Sequence, residues 1–191
     1  QNLDEKSILI ISEQGIGDII QFSRYIYLLE KKYKVRIIFK TKKNLIHLFS
    51  NSKFKIITLK EENPSCDFYQ YIMSLPKIFF QMENSFSKNV NFISPNQNLQ
   101  NKWKNKLKKY NGIKLGLCWQ GDPNYPRDFM RSIPLSKLSR LFLIPNINFI
   151  NLVKNDGYEQ IKEFKYKEQL IDFTADLDNS SNSFEDTVAL L

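Results

Sequence analysis

The sequence predicts an α/β protein made of two Rossmann-like domains, the second of them incomplete within these 191 residues. Apolar, strand-like runs alternate with segments of helical spacing along the chain, which is typical of parallel sheets with helical crossovers. In addition, a strand followed by a polar loop with glycine and then a helix occurs twice, once from Ser7 and once from Ile113. We therefore place one domain at residues 1–111 and the start of a second at residues 112–191.

The first domain opens with a run of β-branched residues, Ile8 and its neighbours, which favours a strand. Apolar residues at helical spacing then predict a helix from Asp18, with Asp18 as N-cap and Gln21 as its capping-box partner. Pro76 suits the start of a later helix. The same reasoning gives strands at 7–12, 35–39, 54–59, 68–73 and 90–93, and helices at 18–32, 44–49 and 75–81.

The second domain follows a basic helix that ends at Asn111 and Gly112, a common helix stop. Ser132 is the expected cap of the next helix, and Ser183 with Asp186 has capping-box spacing. Strands are predicted at 113–119, 148–153 and 170–173, and helices at 99–110, 134–142, 157–164 and 183–191. So short a domain leaves a sheet edge and an apolar face uncovered, so we expect more chain or a partner to cover them.

Composition argues against membrane-spanning, secreted, disulfide-rich and nucleic-acid-binding proteins. No apolar run approaches the roughly 20 residues that span a bilayer, and the polar N-terminus does not read as a signal peptide. Cys66 and Cys118 are too few for a disulfide framework, and Cys118 is expected in the core. A cytoplasmic location is the simplest interpretation. The net charge of +8 comes from dispersed lysines, so we do not expect a nucleic-acid partner.

The loop after the first strand is the first candidate for chemistry. It carries Glu13 and Asp18 but no cation, and it matches neither a dinucleotide-binding fingerprint nor a Walker A loop. A carboxylate at a helix N-terminus competes with phosphate for the same dipole. Asp18 is therefore either a general base that accepts a proton from a hydroxyl, or simply a helix cap.

The corresponding loop of the second domain contains Arg127 and Arg131, which can bind phosphate oxygens in a bidentate manner. Asp122 and Asp128 could instead hold these arginines in structural ion pairs. A third motif, the D-x-D at 176–178, could bind a divalent cation, although a solvated loop is the simpler interpretation. Trp103 and Trp119 are expected to be packing residues.

Three stretches resemble a known family: SEQGIGDIIQFSRYIYLL, GLCWQGDPNYPRDFMRSIPLSKL and FEDTVALL. They are similar to the glycosyltransferase domain that follows tetratricopeptide repeats in many bacterial proteins, itself similar to the lipopolysaccharide heptosyltransferases of glycosyltransferase family 9. The resemblance implies a GT-B fold, with an acceptor domain followed by a nucleotide-sugar domain. It further implies inverting, metal-independent hexosyl or heptosyl transfer, without a cofactor, to a saccharide or protein acceptor, and tetratricopeptide repeats upstream.

By position in these motifs, the resemblance implies that Asp18 is the catalytic base. Gln14, Gly15 and Gly17 would shape the acceptor loop, and Gln120, Gly121 and Arg131 would face the donor phosphates. Relatives often carry a histidine at the position of Tyr125. The family's donor signature follows the last motif, so we expect residues beyond Leu191 to complete the donor site and this chain alone to be inactive. The alternative is a non-catalytic scaffold or interaction module of the same fold.

Overall fold

The computed structural model describes residues 3–83 and 92–191. The chain forms two compact units, each with one parallel sheet. Unit 1 comprises Gln1–Pro95 with Ser181–Glu185, and unit 2 comprises Asn96–Ser180 with Asp186–Leu191. The division lies before the basic helix, whereas the predicted boundary follows it. Among the described residues, no helix is both long and apolar enough to cross a membrane.

Unit 1 is built on a four-stranded sheet with the order β3-β2-β1-β4. Its strands are β1 Ser7–Ile11, β2 Arg36–Thr41, β3 Lys55–Thr58 and β4 Phe68–Tyr71, and its helices are α1 Ile16–Lys32 and α2 Leu75–Glu83. All three strand pairings are parallel. The α/β prediction is therefore confirmed for this unit, and its strand order matches the first four strands of the Rossmann order 3-2-1-4-5-6.

Both faces of this sheet bury apolar side chains. Ile8 and Ile10 alternate with Leu9 along β1, and all three are buried, as expected for a parallel strand. On the face of Leu9, the connection between β3 and β4 lies against the sheet. Lys40 anchors this connection, because its buried ammonium donates to the carbonyl of Glu61 and, at 2.7 Å, to Oδ1 of Asn63.

Unit 2 has a three-stranded parallel sheet with the order β5-β6-β7. Its elements are α3 Gln97–Leu107, β5 Ile113–Leu117, β6 Ile147–Asn151, β7 Leu170–Ile171 and α4 Glu185–Leu190. One core cluster surrounds Trp119, and a second contains Trp103, which packs with Leu177 and Ala189. Both tryptophans are thus packing residues, as predicted.

Several predicted helices are tighter than expected. The segments Lys43–Phe49, Leu135–Leu143 and Tyr158–Ile161 are 3-10 helices. Helical periodicity in the sequence does not distinguish an α-helix from a 3-10 helix when tertiary packing sets the geometry. The short strand predicted at 90–93 lies partly outside the described residues.

The predicted helix caps are wrong at three sites. Helix α1 begins at Ile16 with Gly15 as its N-cap, so Asp18 is the third helical residue and not the cap. The Ser132 hydroxyl binds other loop residues, and the 3-10 helix after it has no side-chain cap. At α4, the carboxylate of Asp178 accepts from the amides of Asp186 and Thr187 and so replaces the predicted capping box.

The prediction that Cys118 lies in the core is also wrong. Leu117 and Trp119 are buried in unit 2, whereas Cys118, between them, is exposed. Successive side chains of an extended segment point to opposite faces, so only alternate residues reach the core.

Candidate functional site

The loop after β1 lies at a topological switch point of the first sheet. From β1 the chain adds β2 and β3 on one side, and β4 then pairs with the other side of β1. In open α/β sheets, ligands bind outside the carboxyl ends of the strands at such a point. Four residues proposed from the sequence follow β1 at this edge: Gln14, Gly15, Gly17 and Asp18.

The backbone of this loop fixes the carboxylate of Asp18. Gln14 has a φ of 65°, in the left-handed region that non-glycine residues seldom adopt. The next amide, that of Gly15, donates to Oδ2 of Asp18 at 3.1 Å. This bond uses one of the two carboxylate oxygens, and the side chain is only half-buried. Asp18 therefore serves as a helix-end acceptor and is also accessible to a ligand.

The two glycines of the loop differ in their surroundings. A Cβ at Gly15 would lie 3.1 Å from Oδ2 of Asp18, so a side chain there would press on the carboxylate. A Cβ at Gly17 would meet nothing within 4 Å. Packing therefore explains the absence of a side chain at Gly15 but not at Gly17, where the helix leaves open space one residue from Asp18.

Two buried hydroxyls at the same sheet edge were not predicted from the sequence. Ser12 follows β1 and Thr41 ends β2, and the register that pairs Ile11 with Lys40 sets them side by side. Both side chains are at least nine-tenths buried, and neither hydroxyl has a hydrogen-bond partner among the described residues. Buried hydroxyls normally bind protein, water or ligand. The sequence feature that could have indicated these two hydroxyls is a polar residue at the end of an apolar strand.

The loop after β5 is organised around the buried carboxylate of Asp128. Gln120 Nε2 donates to its Oδ2 at 2.7 Å, and the Ser132 hydroxyl donates to the same oxygen at 2.8 Å. Arg131 Nε donates to Oδ1 at 2.9 Å. The hydrogen bond from Arg131, followed by that from Ser132, holds the pKa of Asp128 below its ordinary value. We call these four residues the Asp128 hub.

The hub brings together Gln120, Gly121 and Arg131, the three residues proposed for the donor side. The amide of Gly121 donates to the Ser132 hydroxyl at 2.8 Å. The sequence left two interpretations for Arg131, phosphate binding or a structural ion pair. In the structure Arg131 forms an ion pair, because its Nε binds Asp128. About half of the Arg131 side chain stays exposed, and its guanidinium lies 4.7 Å from the centre of the Tyr125 ring.

Substitution of Gly121 by alanine is expected to disrupt the hub. The added Cβ would lie 2.5 Å from Oδ1 of Asp128 and 2.7 Å from Nε of Arg131, so the ion pair must move. A buried carboxylate with poorer partners costs about 1–3 kcal/mol. We expect a loss of that size in chemical denaturation. An unchanged midpoint and slope would show that the ion pair adjusts freely.

A further polar group at the ends of β6 and β7 was missed by the sequence reasoning. Asn151, which ends β6, donates from Nδ2 to Asp172 Oδ1 at 3.0 Å and to the hydroxyl of Thr174 at 3.1 Å. Tyr158 donates its hydroxyl to the other oxygen of Asp172 at 2.7 Å. Burial opposes ionisation of Asp172, but the bonds from Thr174 and Tyr158 outweigh it and lower the pKa. The sequence feature that could have indicated this group is the presence of polar residues at the ends of two consecutive strands.

The D-x-D motif has a structural role in unit 2. Asp176 pairs with Lys106 at 2.5 Å, and Asp178 caps α4. Asp186 in turn accepts from Lys102 at 2.9 Å and from the buried indole of Trp103 at 2.8 Å. Within residues 3–83 and 92–191, no group of three or more acidic, cysteine or histidine side chains is arranged to hold a metal ion.

Comparison of the chain with protein-family models, with curated proteins and with solved structures finds no match in any of the three. The resemblance to a glycosyltransferase family therefore depends on the sequence motifs, and any functional conclusion depends on those motifs together with the geometry of the two loops.

Proposed function

We propose that the chain is part of an inverting, metal-independent glycosyltransferase of the GT-B type that transfers a sugar from a nucleotide donor to an acceptor hydroxyl. The observation that carries the proposal is the position of Asp18. Its half-buried carboxylate is held by the Gly15 amide at the switch point of a parallel sheet, where α/β proteins bind ligands. An acid with no neighbouring cation in its loop suits a hydroxyl ligand better than a phosphate.

In the proposed reaction, Asp18 acts as general base. Its carboxylate accepts the proton of the acceptor hydroxyl while that oxygen attacks the anomeric carbon of the donor. The bond from the anomeric carbon to the diphosphate oxygen breaks, and the nucleoside diphosphate leaves with the electron pair. Attack from the face opposite the leaving group inverts the anomeric centre. Gln14, Gly15 and Gly17 support this step by shaping the loop that presents Asp18.

The donor side is assigned to the loop after β5. Gln120 and Gly121 are held by the Asp128 hub, and the half-exposed guanidinium of Arg131 supplies positive charge for a diphosphate. Arginine suits this role, because its planar fork matches two phosphate oxygens at once. The role of Arg131 in the hub is compatible with this, because the bond to Asp128 uses Nε, and the other contact of the guanidinium, from Nη2 to the carbonyl of Asp122, is long at 3.5 Å.

The mechanism predicts that transfer persists when divalent cations are removed. Arg131 replaces the metal as the group that stabilises the leaving diphosphate. The measurement is release of nucleoside diphosphate by the natural gene product that contains these residues, with a panel of nucleotide sugars and acceptor glycosides. We expect the same rate with and without excess EDTA. Loss of transfer in EDTA, restored by added Mg²⁺, would contradict the metal-independent mechanism.

The second candidate function is a non-catalytic module of the same fold, and one observation favours it. The polar groups of the second loop satisfy one another through Asp128, as structural networks do. This alternative predicts that no nucleotide sugar in the panel is consumed and that substitutions at Asp18 change only stability.

A further inference from the structure

Strand β4 forms one edge of the sheet in unit 1. It pairs with β1 alone, and the strand order leaves its other side without a neighbour among the described strands. Phe68–Tyr71 contains no charged residue and no proline, and Tyr69 and Tyr71 are 73% and 46% exposed. Proteins usually protect an edge strand with charges, prolines or bulges. An uncharged edge with exposed aromatic residues therefore favours pairing with another strand.

The opposite edge of the same sheet is protected. Strand β3 begins with an exposed lysine, Lys55, and two further exposed lysines, Lys53 and Lys60, flank the strand. Lysines on an edge strand disfavour the approach of a second strand, because pairing would require their charges to be desolvated. The two edges therefore differ, and only the edge formed by β4 is suited to pairing.

Apolar grooves lie beside β4 on both faces of the sheet. On the face of Ile8, a groove of about 430 Å³ is lined by side chains of α1 and α2, including Leu29, Leu75 and Phe79. On the face of Leu9, a groove of about 230 Å³ includes residues of β1 and of the connection before β4. None of the described residues that line the two grooves is charged. An added strand could therefore place side chains on both faces without burying a charge.

The described part of the chain does not cover this edge. Phe92 is the first described residue after α2, and its ring lies 6.2 Å from the ring of Tyr27 on α1. Tyr27 also packs on Phe54, just before β3, whereas Tyr25 packs on Phe79 of α2. Residues two apart on a helix point to nearly opposite sides. Phe92 therefore lies on the β3 side of α1, away from α2 and β4.

We propose, independently of the proposed function, that β4 is a contact between two copies of this chain. The two β4 strands pair across a two-fold axis and join the two four-stranded sheets into one. A two-fold axis perpendicular to the sheet makes identical strands antiparallel and requires a self-complementary surface. An uncharged edge meets this requirement, because identical edges do not repel each other. With Tyr69 or Gln70 on the axis, Tyr69 lies opposite a tyrosine of the other copy, and aromatic cross-strand pairs stabilise a sheet.

The contact is expected to be weak and reversible. An aromatic side chain has about 150–250 Å² of surface, so Tyr69 and Tyr71 together expose about 200–300 Å² per copy. Interfaces with so small an apolar area are typical of transient complexes, which bury less than about 1,200 Å² in total. We therefore expect a dimer with a Kd in the micromolar range.

The test is sedimentation velocity of the natural gene product that contains these residues, across micromolar concentrations. Tyr69→Lys places like charges at the contact, and we expect it to raise the Kd of the dimer by roughly tenfold or more. Tyr69→Glu should do the same. A mixture of the two variants should restore dimers, because unlike charges then meet across the axis. Leu143→Lys is the matched control, since Leu143 is an apolar residue of unit 2 that is 68% exposed, and it should leave the Kd unchanged.

Thermal unfolding of each variant checks that it is folded. If the Tyr69 variants unfold early, the same pair of changes at Tyr71 repeats the test. A wild type that stays monomeric, an association that Tyr69→Lys does not weaken, or folded variants whose mixture does not dimerise would each overturn the proposal. So would a monomeric wild type that binds an extended peptide of alternating valine and threonine and loses this binding in Tyr69→Lys. That result would assign the edge to a strand of another protein.

Discussion

Substitution of Asp18 by asparagine is expected to reduce sugar transfer by about 100- to 10,000-fold, the range that a general base contributes. Asparagine has nearly the same shape but cannot accept a proton at neutral pH. The fold should tolerate the change, because the amide oxygen can still accept the hydrogen bond from Gly15. Loss of the negative charge near the N-terminus of α1 costs about 0.3–1 kcal/mol.

The measurement pairs initial transfer rates with thermal unfolding of the same samples. Glu13→Gln is the matched control, since Glu13 is the other acid of this loop and precedes the helix. We expect the control to keep transfer within a few-fold of wild type. Equal rates for Asp18→Asn and wild type would remove Asp18 from the mechanism, and equal losses in both variants would indicate an effect of loop charge.

Substitution of Gly157 by alanine is expected to lower the stability of unit 2 strongly. Gly157 has a φ of 86°, a conformation that costs about 1–2 kcal/mol for a residue with a Cβ. The added Cβ would also lie 2.6 Å from Cβ of Gln120 and 3.3 Å from Nε1 of Trp119. Overpacking of this kind adds about 1–3 kcal/mol.

The clash also affects the site, because the Gly157 carbonyl accepts a buried hydrogen bond at 3.0 Å from the Trp119 indole. Displacement would move the start of the loop that carries Gln120. We expect the unfolding temperature to fall by roughly 10 °C, given a few degrees per kcal/mol for a chain of this size. Gly17→Ala is the control: nothing lies within 4 Å of its Cβ, and alanine is the better helix former. Equal melting temperatures for Gly157→Ala and wild type would contradict the packing described for Gly157.

Local sequence was enough to predict the fold class and most of the strands. The apolar run around Ile10 and the apolar face of α1 with Ile19 and Ile26 follow the periods of strand and helix, and both are buried. The loop with Gly15 and Asp18 could be placed after β1 for the same reason. These features depend on residues close together in the chain, so spacing alone indicates them.

The helix caps and the fine structure of the site could not be predicted in this way. Asp178 caps α4 although it lies eight residues before Asp186 in the chain. Asp186 in turn binds the indole of Trp103, which is 83 residues away in the sequence. The Asp128 hub likewise depends on a turn that brings Gln120 back to Arg131. Several polar side chains could donate to each of these acceptors, and the one that does so is decided by how the chain packs.

The sequence by itself determined that strands alternate with helices. It also determined that a carboxylate follows β1, the first strand of unit 1, and that arginines follow β5, the first strand of unit 2. Only the tertiary structure decided the strand order β3-β2-β1-β4, which sets the Asp18 loop at a switch point. It also decided that Phe129 and Met130 face solvent and that Cys118 is exposed. The physical reason is that periodicity records which face of an element is apolar, whereas strand order and exposure depend on contacts between residues distant in the chain.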